Sequence, residues 1–160
     1  MRPHRSRGQT GAALSLALGL ACPLAGATLG EPGWATPAAD PGRATGARRF
    51  VETTTMRLQA QVTTQADGST IKEFLTPGGI VFAVSWSTRL KPRLDVLLGA
   101  HAPGYAEAAR AAASAPGVHH AATLVAGDLV VHETSHLNTH VGVAWLRSLV
   151  PEGVRVDELR

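Results

Sequence analysis

The sequence predicts an α+β fold: a small antiparallel β-sheet, made of a meander and a C-terminal hairpin, with one or two helices packed on it. Three observations predict it. Residues 69–86 hold two strand-like stretches joined by Thr76-Pro77-Gly78-Gly79, a tight-turn signature. Residues 88–115 change to helical spacing, with Leu94, Leu97 and Leu98 on one stripe. Residues 128–147 return to alternation through Leu129, Val131, Val141, Val143 and Trp145. Strands, then helices, then strands imply helices laid on an antiparallel sheet.

Residues 1–27 follow the plan of a cleavable secretory signal peptide. Arg2, Arg5 and Arg7 make the n-region positive, and GAALSLALGLA supplies an apolar h-region. That run is too short to span a bilayer. Pro23 ends it, and Ala25-Gly26-Ala27 offers the small residues a peptidase accepts, with the cut expected after Ala27. The protein is therefore expected to be exported, periplasmic or secreted, with no transmembrane helix once the signal is removed. The only cysteine, Cys22, leaves with the leader, so the mature chain has no disulfide.

Residues 28–47 are rich in Gly, Pro, Ala and Thr and predict a flexible arm, with Trp34 as an aromatic that docks on the domain. Residues 48–160 form the single α+β domain. Thr and Val enrichment in residues 49–64 predicts a strand, with a bulge or break near Thr55 where the alternation shifts. Asp67-Gly68 suits a hairpin turn. The run Ile80 to Trp86 is apolar on both faces and predicts the central strand. Pro92 and Pro103 are placed to start two helices, the second carrying Tyr105, Ala108, Ala109 and Ala112 on one face. The last hairpin is expected to turn near His136, and residues 156–159 to make a final helical turn.

The charge pattern excludes a nucleic-acid binder. Removing Arg2, Arg5 and Arg7 from fifteen basic side chains leaves twelve against twelve acids, so the mature chain is formally neutral. No Gly-x-Ser-x-Gly elbow, phosphate loop or His-Glu-x-x-His is present.

The one constellation with chemical content is histidine. His132, His136 and His140 recur four apart among β-forming residues. A hairpin centred on His136 would set His132 against His140, with Glu133 and His119-His120 near them. Imidazoles so placed bind Zn, Cu or Ni. The simpler reading is a solvent-facing polar strand, preferred because no strong ligand spacing accompanies it; no cofactor is expected. An unfamiliar catalytic site would draw on Glu73, Glu133 and His136. With no catalytic motif, the leading class is a non-catalytic binding or interaction module of the cell envelope, its partner an envelope protein or a small ligand. The metal-binding protein and the enzyme are the alternatives.

Several segments together resemble a known family. They are Leu29-Gly30, Ile71-Lys72-Glu73-Phe74, Gly79 to Trp86, LDVLLG from Leu94, Tyr105, Asp128-Leu129-Val130-Val131, His136, Gly142 to Leu146 and Pro151-Glu152-Gly153-Val154. The chain is similar to small exported proteobacterial proteins known only as a domain of unknown function, DUF2844-like. The resemblance covers most of the mature chain and implies membership without an activity. Ser87-Thr88-Arg89 stands where the family pattern has a Gly-Pro pair, and Ser135 where Gly commonly precedes the hairpin His.

Overall fold

The computed structural model describes residues 28–33, 44–53, 56–114 and 121–160. Seven strands make one antiparallel sheet: β1 Ala44–Glu52, β2 Arg57–Gln65, β3 Thr70–Leu75, β4 Val81–Thr88, β5 Ala121–Ala126, β6 Leu129–His136 and β7 Thr139–Leu146. Their order is β1-β2-β3-β4-β7-β6-β5. Each half is a meander, and the halves join where β7 pairs with β4. Between them lie α1 Leu94–Leu97 and α2 Ala102–Ala113. This is the expected α+β architecture, with a larger sheet.

The central strand is β4, buried along almost its whole length. Phe74 pairs with Ala83 and Leu75 with Val81, so Phe82 is an extra residue on β4. A bulge of this kind shifts the alternation, and it turns both Phe82 and Ala83 toward one face. There Phe82 meets Phe74 with ring centroids 6.4 Å apart. Leu58, Ala60, Val143 and Leu159 complete the cluster. The C-terminal segment covers this tail face through Val150, Val154, Val156 and Leu159. A short helical turn, Val156–Glu158, brings Leu159 down onto it.

The opposite, helix face collects Val81, Val84, Trp86, Leu129, Val131, Ala144 and Leu146 under Leu94, Leu97 and Leu98. These leucines are the predicted cover. Tyr105 and Ala102 pack on the same cluster, while α2 has no fully buried residue.

Four expectations change. The break near Thr55 is a full chain reversal: Thr53 and Met56 bond each other there, and β1 and β2 are separate paired strands. The arm expected over 28–47 is anchored where it is described. Leu29 is buried and donates to the Leu97 carbonyl, Gly30 donates to Val81, and Pro32 bridges to Ile80. Ala44 already belongs to β1. The C-terminal hairpin is a three-stranded unit, because β5 pairs with β6. Its turn lies at Leu137-Asn138, between the paired residues His136 and Thr139. Trp34, His119-His120 and the leader with Ala25 and Ala27 fall outside the described residues. Among the described residues no helix is long and apolar enough to cross a membrane.

Candidate functional site

The β6–β7 register decides where the histidines go. His140 pairs with Ser135, and His132 pairs with Val143. The partner expected for His140 has moved from His132 to Ser135, an odd number of positions, which reverses the face. His132 therefore shares the tail face with Val143, where its Nδ1 meets the Thr123 hydroxyl at 2.8 Å. His136 follows the same parity and is exposed. His140 lies on the helix face. The three rings are not brought together. Among the described residues no group of three or more His, Cys, Asp or Glu is placed to hold a metal ion.

A different cluster forms around Glu133. It sits on the helix face because it alternates with Val131, which packs in the helix-face core. Its Oε1 lies 4.0 Å from His140 Nδ1. Its Oε2 accepts a 3.4 Å hydrogen bond from the Tyr105 hydroxyl of α2. Ser135 Oγ stands 3.0 Å from the same His140 Nδ1. Both Glu133 and His140 are partly buried, with side chains 18% and 23% exposed. Burial first, then the nearby Glu133 charge and its hydrogen bond, raise the Tyr105 pKa.

Trp86 completes the setting. It is in register with Gly142, and Gly142 with Glu133. A Cβ at Gly142 would come within 2.3 Å of the Trp86 ring. Only glycine lets the indole lie over that strand position. The buried Trp86 Nε1 has no hydrogen-bond partner, an arrangement that leaves its desolvation uncompensated. The notch thus gathers a carboxylate, an imidazole and two hydroxyls on one side of the sheet, with the indole N–H buried on the same face.

Its chemistry is limited by geometry. A Ser-His-acid relay needs the hydroxyl and the carboxylate on different ring nitrogens, whereas Ser135 and Glu133 both approach Nδ1. Nor does the set Glu73, Glu133 and His136 converge. Glu73 pairs with Val84, and three strand spacings, about 14 Å, separate its strand from β6. His136 is on the other face. Glu73 is nevertheless unusual: it is 6% exposed, and burial pushes its carboxyl up to about 7.

A family model described as a protein of unknown function, DUF2844, matches residues 25–159. The chain belongs to the DUF2844 family. The match spans the sheet, both helices and all of the C-terminal segment but its last residue, so the family unit includes both faces and the notch. No curated protein and no solved structure matches the chain.

Sequence pattern alone identifies Glu133 and His140 as groups of interest. Tyr105 and Ser135 join them only through tertiary placement. The one sequence signal for the notch is Gly142, a glycine inside an otherwise apolar strand, which marks a close approach.

Proposed function

We propose that this DUF2844 protein is an exported, non-catalytic binding module of the cell envelope, and that the notch around Glu133 is where it takes a small polar ligand or a polar side chain of an envelope protein. The observation that carries the reading is the cluster itself. Glu133, His140, Tyr105 and Ser135 gather on one face of the sheet, the face that also carries the buried, unpartnered Trp86 Nε1. Such a set offers both donors and acceptors, and its shared contact at His140 Nδ1 favours holding over proton transfer. The signal-like residues 1–27 support export.

The mature chain from Thr28, incubated with chromogenic esters, phosphates and glycosides, is expected to give no saturable turnover. Turnover that disappears in Ser135→Ala would make the protein an enzyme and end this reading. Residues 1–27 fused to a reporter active only outside the cytoplasm should activate it. A silent fusion would remove the envelope from the proposal.

A further inference from the structure

One end of the sheet, formed by the exit of β4 and the β6–β7 turn, differs from the rest of the described surface. Leu90 is 77% exposed and Leu137 is 89% exposed. Leu137 also holds φ at 51°, the one positive value at a non-glycine residue among those described. A bulky side chain adopts that region only under strain, and a two-residue hairpin turn ordinarily places Gly, Asn or Asp there. Strain kept at an exposed tip suggests a demand on that side chain outside the fold.

Leu90 further lines an open groove of about 510 Å³ with Arg89, Asn138 and Thr139. Arg89 and Lys91 are both exposed and stand outside the salt bridges found among the described residues. Asp67 lies within electrostatic reach of Arg89, but its carboxylate is bonded to Ser69. This end therefore combines a guanidinium, an amide and a hydroxyl with exposed Leu90 in one groove, and exposed Leu137 stands next to Asn138 at its edge.

We propose that this end of the sheet docks on an anionic phospholipid surface. Arg89, with Asn138 and Thr139, receives the phosphate-bearing headgroup, as charge-assisted donors do, while Leu90 and Leu137 enter the acyl boundary. Two leucines fall far short of a stable protein interface, which buries about 1,600 Å² in total. Weak, reversible attachment to a charged bilayer needs less, since it scales with the buried apolar area plus about 1 kcal/mol per cation at the surface.

The test is co-sedimentation of the mature chain with phosphatidylcholine vesicles, with and without phosphatidylglycerol, at low and high salt. Binding is expected only to the mixed vesicles, and it should weaken with salt. The double variant Leu90→Ser/Leu137→Asn should bind about tenfold less or weaker still, and Arg89→Gln should bind less with a shallower salt dependence. All three changes are at exposed positions, and Asn tolerates the left-handed turn, so thermal unfolding at or above the parent's temperature is the accompanying control. The proposal is overturned by absence of binding to mixed vesicles or by unaltered binding of the double variant. Equal affinity for soluble glycerol phosphate would make the groove a small-anion site, and a dimer broken by the double variant would make this end a self-association surface; either result also overturns it.

Discussion

On the tail face of the sheet Phe74, Phe82, Ala83, Val143 and Leu159 meet in one apolar cluster, with Ser85 as a buried hydroxyl in register beside them. On the helix face equally buried leucines and valines lie among Gln61, Glu73 and the indole of Trp86, with Glu133 and His140 partly covered at the margin. The same seven strands supply both sides, so the difference is not one of topology. Apolar packing stabilises, whereas a buried polar group contributes only when its partners are in place. Both faces hold the fold through apolar clusters, and the helix face in addition carries polar groups that the fold alone does not need.

The largest expected effect separates the faces most cleanly. Phe82→Ala removes a wholly buried ring from the bulge of β4 and should cost about 3–5 kcal/mol in chemical denaturation. A variant that unfolds with the parent would show that the Phe82 ring does not stabilise the tail-face cluster.

Glu73 should behave in the opposite way. Its folded pKa is raised from 4.5 to about 7 by burial. Between those values the unfolded chain releases its proton while the folded chain keeps it. The associated stability is thus fully present below 4.5 and is lost as pH rises through about 7. The loss amounts to about 3 kcal/mol. Glu73→Gln should flatten the pH profile and exceed the parent in stability above pH 7 by about that amount. Parallel profiles for the two proteins would remove Glu73 from the account.

Gly142→Ala is expected to cost about 2 kcal/mol, because the new methyl meets the Trp86 ring and, at 2.8 Å, the backbone carbonyl of His132. The near-ultraviolet signal of the tryptophans should change with it. An unperturbed signal would mean that the indole does not rest on this strand. Smallest of all, Leu137→Gly should stabilise by about 1 kcal/mol, since glycine relieves the left-handed strain at φ 51. A loss of stability there would show that Leu137 packs in solution.

The meander, the helices and their leucine cover were legible because each rests on local chemistry: Pro-Gly-Gly at one turn, Asp-Gly at another, and leucines at helical spacing. The two edge strands were not. β1 begins inside a Gly- and Ala-rich stretch, and β5, AATLVA, is too short and alanine-rich to stand out. Edge strands need fewer large apolar side chains, since one flank has no neighbour to satisfy. The histidine arrangement failed for a sharper reason. The positive φ of this turn falls on Leu137, where Gly, Asn or Asp is usual, and Asn138 by itself is a weak turn signal, so the sequence pointed to His136 as the centre. That displacement changes the faces of whole side chains, and it puts His132 and His140 on opposite sides. The notch became visible only when Tyr105, thirty-five residues upstream of His140 in the chain, was laid over Glu133 by α2.

A notch kept for binding and not for folding should be dispensable to stability. Denaturation of Glu133→Gln/His140→Asn tests this most directly. These near-isosteric changes remove the charge and the imidazole while leaving polar groups in place. Stability within about 1 kcal/mol of the parent is expected. A loss of more than about 3 kcal/mol, in the range of a disrupted buried network, would make Glu133 and His140 part of the scaffold and contradict it.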